Sequence, residues 1–172
     1  RRWIGTFPGG DPVTVNPGTY DVEIEAAVQV ASPESPPVDW EYWFTTTRQA
    51  GPGEDLTIDF GGSIQITLAL GPDETDQVEQ GTDLTLHVQV ADAYGNEAPA
   101  VRQKGQGTWY WSYVYPVLVV QDGAGDEILN SPVYGNYPSV PTADLAPGTY
   151  QAFVQFDAGP LGPQETGGLV TS

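Results

Sequence analysis

Five aromatic residues, Trp109, Tyr110, Trp111, Tyr113 and Tyr115, fall within seven positions of this 172-residue chain. They are the side chains best suited to chemistry with a partner. Tyr and Trp join an apolar ring to a polar tip, so a row of them can stack on sugar faces or anchor a protein interface. If residues 108–116 run as a strand, Trp109, Trp111, Tyr113 and Tyr115 share one face. Trp40, Tyr42, Trp43 and Phe44 form a second cluster. Three readings stay open: the rows fill a core, meet another protein or subunit, or face a glycan. The opposite side of the first row, Tyr110, Ser112 and Val114, is partly apolar, which favours packing between modules or subunits.

Catalytic groups are scarce by comparison. His87 is the only histidine, cysteine is absent, and no nucleophile elbow precedes a helix, so a Ser-His-Asp triad has one candidate base and no partners. His87 reads as an ordinary residue on the wet side of a strand. Carboxylates crowd three places: Asp122, Asp126 and Glu127; Asp92 and Glu97; and Asp73, Glu74, Asp76 and Glu79. Calcium takes about six to eight oxygens from such loops, and Asp73, Asp76 and Glu79 are the ligand set expected if one binds. Solvated turns are the plainer reading, and no other cofactor is expected. Lys104 lies in VRQKGQG, read as a polar glycine-rich loop, a poor setting for an isopeptide cross-link.

Five basic residues stand against 23 acidic ones, a net charge of −18. Such a surface repels phosphate backbones and anionic lipid, so nucleic acid and direct membrane insertion are not expected. No run of apolar residues is long enough for a membrane helix. No signal-peptide hydrophobic region is visible, and the chain starts at Arg1 without any Met; either a leader has been removed or the chain is an excerpt. At this length, folding hides roughly 70% of the unfolded surface, so the lack of disulfides is no obstacle.

These side chains must be positioned by strands. Residues 81–96, GTDLTLHVQVADAYGN, put Leu84, Leu86, Val88 and Val90 on one face and Thr85, His87 and Gln89 on the other. A period of two describes a strand with one buried and one wet face. Residues 20–30 contain helix formers, but Tyr20, Val22, Ile24, Ala26, Val28 and Val30 alternate. The 21 Gly and 16 Pro residues fall between such runs as turns. Strands are predicted at 12–15, 20–30, 38–48, 55–60, 63–70, 83–91, 108–120, 126–130 and 149–157, with edge strands near 98–103 and 167–171. Residues 117–129 read as a hairpin turning on Asp122-Gly123-Ala124-Gly125. The phrase PGTY recurs at 17–20 and 147–150; each copy is expected to lead into a late, central strand. The fold class is therefore all-β, an antiparallel β-sandwich, divided at Gly71-Pro72 into a first module (1–70), a second (72–158) and a tail (159–172).

Residues 78–96, with Gly81-Thr82, the alternating strand, Asp92 and Tyr94-Gly95-Asn96, resemble the opening strands of bacterial immunoglobulin-like domains of the invasin and intimin kind. PGTYDVEIEA and GEDLTIDF resemble carboxypeptidase-regulatory-like and transthyretin-like sandwiches. YPVLVVQDGAGDEI and LAPGTYQAFVQF are more faintly similar to the intracellular proteinase inhibitor family. The first resemblance implies a stalk, spacer or adhesion module of a surface protein.

The expectation is a non-enzymatic structural subunit of an extracellular, cell-surface or virion-surface assembly. It would attach to other surface proteins or to copies of itself as a homopolymer, the latter by strand exchange through residues 1–15 or 160–172. Trp109, Trp111, Tyr113, Tyr115, Trp40 and Trp43 are the interface or glycan-facing residues. A carbohydrate-binding module with a polysaccharide partner and a proteinase inhibitor are the alternatives.

Overall fold

Alternation builds the first hairpin. In β1 (Tyr20–Ala31), Val22, Ile24, Ala26, Val28 and Val30 are half-buried and the residues between them exposed. The period of two overrides the helical propensity of Glu and Ala because only a strand gathers these side chains on one face. β2 (Val38–Ala50) pairs with β1 from Tyr20↔Ala50 to Ala31↔Asp39. The computed structural model describes residues 16–33, 35–105, 107, 109–162 and 167–171. Its remaining strands are β3 (Ile64–Leu70), β4 (Leu84–Asp92), β5 (Glu97–Gly105), β6 (Ser112–Val114), β7 (Val117–Gln121), β8 (Glu127–Pro132), β9 (Ser139–Val140), β10 (Tyr150–Gln155) and β11 (Gly167–Thr171). A 3-10 turn covers Gly159–Leu161.

Two antiparallel sheets result. The first runs β1-β2-β5-β4-β3, with β6 paired to β5 and β9 to β4; the second runs β11-β10-β7-β8. Leu84, Leu86 and Val88 of β4 form one apolar cluster with Leu118 and Val120 of β7 and Ala152 and Val154 of β10. Val90, the next residue on that face, packs instead on a second cluster of Trp40, Tyr42 and Phe44 (β2), Ile64, Val101, Phe156 and Ala158. The β2 rings rise as a ladder, Trp40 to Tyr42 at 6.4 Å and Tyr42 to Phe44 at 6.3 Å. At its centre the Tyr42 hydroxyl donates to the Ala158 carbonyl at 2.6 Å and accepts from the Leu161 amide at 3.3 Å. Burial pushes this phenol up to about 12.

Several sequence expectations need correction. β3 pairs with β4 and β2 with β5, so strands from both sides of Gly71 share one sheet and segments 1–70 and 72–158 are not separate sheets. The expected strand at 55–60 is not one. A side chain rather than a ladder takes its Asp59 carbonyl, to which Asn96 Nδ2 donates at 2.7 Å, and just after it the Gly61 amide donates to Asp92 at 2.9 Å. The expected strand at 108–120 breaks at Tyr115-Pro116, where the chain passes from β6 in the first sheet to β7 in the second. Pro116 is buried and has no N–H to continue a ladder. Residues 98–103 form part of β5, which lies between β2 and β4 rather than at an edge, and Lys104 sits on that strand rather than in a loop. Residues 167–171 do form an edge strand, as expected, but inside the segment read as a tail, and they pair with β10 of their own chain. The strand expected at 12–15 lies outside the described residues.

The two PGTY phrases make the same local structure. The Tyr20 hydroxyl donates to the carbonyl of Asn16 at 2.7 Å, and that of Tyr150 to Ala146 at 2.5 Å. Each ring folds back on the turn four residues before it. β10 is central, as expected, but β1 ends the strand order of its sheet. The Asp-x-Tyr-Gly-Asn phrase is also structural. Asp92 is 2% exposed, and its carboxylate accepts from the amides of Gly61, Tyr94 and Asn96 and from Asn96 Nδ2. Gly95 takes the positive φ of +80° that closes this β4–β5 turn.

Candidate functional site

Cross-strand register assembles the site on the outer face of the first sheet. Gln29 of β1 lies opposite Glu41 of β2, Glu41 opposite Arg102 of β5, and Arg102 opposite Tyr113 of β6. One row thus crosses four strands. Glu41 is 6% exposed and sits at its centre. Arg102 Nη2 forms an ion pair with Glu41 Oε1, Trp43 Nε1 donates to the same oxygen at 2.6 Å, and Gln29 Nε2 donates to Oε2 at 2.8 Å. A buried carboxylate needs such partners.

The guanidinium of Arg102 is in turn surrounded by rings. Its Cζ lies 5.4 Å from the Trp43 ring, 5.5 Å from Trp111 and 5.7 Å from Tyr113. Next in register, Lys104 faces Asp39, with 3.8 Å between their charged atoms, and its Nζ lies 5.2 Å from the Trp111 ring. These distances are within the reach of cation–π attraction, about 6 Å. The two cations therefore hold Trp43, Trp111 and Tyr113 together as one platform, and each also meets a carboxylate.

The rings continue beyond the platform. Tyr113 stacks on Tyr115 at 6.0 Å and 25°, and Tyr115 meets Tyr134 edge-on at 4.9 Å and 72°. Trp109, the most open of the set at 90% exposed, meets Tyr110 edge-on at 5.9 Å. His87, on the wet face of β4, stacks on Tyr137 at 4.8 Å. Of the six expected interface or glycan-facing residues, Trp43, Trp111, Tyr113 and Tyr115 come together, while Trp109 is exposed and meets only Tyr110 among the described ring contacts. Trp40 does not belong: it is 4% exposed in the core. The period of two sends Trp40 inward and Trp43 outward, because three positions separate them along a strand.

Sequence reasoning missed Glu41, Arg102, Tyr134 and Tyr137. The single available signal was that Arg102 and Lys104 are two of only three basic residues after Arg2. The third, Arg48, donates to Asn96 Oδ1 at 3.4 Å, away from the platform.

The acidic corner is organised differently. Asp73, Asp76 and Glu79 are exposed, and among the described residues no three His, Cys, Asp or Glu side chains come together as a metal ligand set. Glu74 spends one oxygen on the Thr85 amide at 3.2 Å. A cleft of about 180 Å³ opens beside this corner, lined by Val78, Leu84, Leu145, Pro147 and Tyr150 among others. Two of its polar lining groups are already used within the chain: Gln80 Nε2 donates to the Leu145 carbonyl at 2.7 Å, and Thr142 Oγ1 to the Thr82 carbonyl at 2.7 Å.

Comparison with protein-family models, with curated proteins and with solved structures finds no match. Among the described residues, no helix is long and apolar enough to cross a membrane.

Proposed function

We propose that this protein is a non-enzymatic attachment module of an extracellular, cell-surface or virion-surface assembly. Its two sheets form an immunoglobulin-like or transthyretin-like β-sandwich, and the outer face of the first sheet presents aromatic rings to a partner. The observation that carries this reading is the exposure of Trp109, Tyr110, Tyr113, Tyr115, Tyr134 and Tyr137. So many large rings left in water mark a contact surface, because burying them against a partner recovers apolar area. The Arg102 and Lys104 contacts stiffen the platform in advance, which lowers the ordering cost of binding.

The test presents the protein to three immobilised layers: an uncharged polysaccharide, a proline-rich peptide and the protein itself. Retention on any one layer is expected, and loss of it in a Trp109→Ala/Tyr113→Ala/Tyr134→Ala variant with an unchanged circular dichroism spectrum. No retention on all three, or equal retention of the variant, rules the attachment reading out.

A second reading, polymerisation by strand exchange, draws on a separate feature. β1 is 12 residues long and ends its sheet among the described residues. A strand edge of that length is a template for a segment of a neighbouring copy. Deleting residues 1–15 then leaves monomers by sedimentation velocity; filaments that survive the deletion in negative stain exclude exchange through that segment.

A further inference from the structure

We infer that the attachment face takes an uncharged polysaccharide, seated over a cleft between β4 and β5; this deepens the attachment reading and rests on it. The cleft follows from a split in the sheet. β4 and β5 pair only at Ala91↔Glu97, next to their turn. Beyond that point β5 is held by β2 and β6. β4 turns to the 136–140 segment instead, with the Leu86 amide bonded to the Pro138 carbonyl and the Val88 amide to that of Asn136. The diverging strands leave a cleft of about 80 Å³, with Val88, Val101 and Phe156 of the core beneath it. Its rim carries Tyr113, Tyr115, Tyr134, Gln89, Glu97 and Asn136.

The rim has the chemistry a sugar needs. Tyr113 stacks on Tyr115 and Tyr134 stands edge-on to Tyr115, so the three rings line the rim as one contiguous aromatic group. The C–H face of a pyranose can lie against the exposed side of such a group while its hydroxyls point outward. The amides of Gln89 and Asn136 and the tyrosine hydroxyls both donate and accept, as hydroxyl recognition requires. The cleft is too small for a whole sugar ring. Binding is therefore shallow at each point and needs several linked sugars along the rings, so the ligand is a polymer rather than a free monosaccharide.

Charge selects the class. Arg102 is paired with Glu41 and Lys104 with Asp39, Glu97 adds a negative charge at the rim, and the chain carries −18 overall. Uronate, sulfate and phosphate polymers are repelled; a neutral polymer is not. A protein partner is disfavoured by the make-up of the face. Its exposed apolar residues are Tyr and Trp, whereas the exposed large aliphatics, Leu56, Val78 and Ile128, are not among the residues that build it. Tyr and Trp are enriched at protein interfaces as well, so the lack of aliphatic neighbours, not the rings themselves, sets this face apart.

Affinity electrophoresis of the full chain tests this in gels holding β-glucan, α-glucan, mannan or arabinoxylan, with heparin and hyaluronate as anionic controls. Retardation by at least one neutral polymer is expected, unchanged between low and high salt. Tyr115→Ala and Tyr134→Ala should each weaken it by about tenfold, and Tyr134→Phe should keep most of it; urea midpoints verify that the variants fold. Salt-sensitive binding to the anionic polymers alone overturns the inference. So does neutral-polymer binding that survives both alanine variants, and so does no retardation in any gel. Retention on the peptide or self layer with none on polysaccharide overturns the glycan but leaves attachment standing. No retention on any layer removes both.

Discussion

Replacing Tyr42 with Phe removes a hydroxyl from the middle of the first sheet's inner face, and its cost should fall as pH rises. At neutral pH two groups lose their partner, the Ala158 carbonyl and the Leu161 amide. Tyr42 is fully buried and Ala158 is 2% exposed, so water does not readily replace the hydroxyl at that carbonyl. An unsatisfied buried group costs about 1–3 kcal/mol, and Tyr42→Phe should lose about that much. The native phenol is pushed up to about 12 from an ordinary value of 10.0 by burial, with Asp157 adding to the rise and the Leu161 amide opposing it. Below pH 10 the phenol is protonated in both states and its contribution is complete. Above pH 10 the unfolded chain releases the proton while the folded chain keeps it, so the unfolded state binds fewer protons and stability falls until about pH 12. Linkage gives a loss on the order of 1 kcal/mol by pH 11 that Phe cannot suffer. Urea unfolding of both proteins at pH 8, 10 and 11 measures the gap, and Lys and exposed Tyr titrations cancel in the difference. The gap should shrink by roughly 1 kcal/mol between pH 8 and 11. A gap that stays constant refutes the argument that burial holds this phenol protonated.

Other perturbations have equally definite outcomes. Asp92→Ala strips the acceptor from four N–H groups at the β4–β5 turn and should cost about 3 kcal/mol in urea unfolding; a loss below 1 kcal/mol would show the turn to be held by its backbone alone. Gly159→Ala puts a Cβ 2.4 Å from the Trp40 ring at a φ of +63°, so the 3-10 turn must leave Trp40, with a loss above about 2 kcal/mol and a changed near-ultraviolet circular dichroism spectrum. An unaltered spectrum and midpoint would contradict that packing. Arg102→Ala leaves Glu41 buried without its cation and should cost about 3–5 kcal/mol. Adding Glu41→Gln should recover part of this loss; strict additivity of the two changes would mean that they do not interact.

Periodicity made much of the architecture readable. Leu84, Leu86 and Val88 are buried on one face, and Thr85, His87 and Gln89 lie on the other, because a strand's side chains alternate whatever it pairs with. The glycine and proline turns fell between strands for a similarly local reason. The expected 55–60 strand failed because alternation reports a face and not a partner. LTIDF had no ladder to join; the Asn96 side chain took its Asp59 carbonyl, and Asp92 took the Gly61 amide just after it. The aromatic site was half legible. The clustering of Trp109 to Tyr115 is visible in the linear order, but its meeting with Trp43, Glu41 and Tyr134 is not.

Local chemistry in the chain was enough to decide an all-β protein of antiparallel strands, the Asp122-Gly125 hairpin turn and a strongly negative net charge. These follow from neighbours a few residues apart and from summed charge. The folded arrangement alone decided that strands from both sides of Gly71 share a sheet, that the chain changes sheets at Pro116, and that Gln29, Glu41, Arg102 and Tyr113 form one row. Each depends on which strand lies beside which and in what register. Hydrogen bonding sets that register between segments up to 61 residues apart in this row, a distance over which sequence pattern carries no phase.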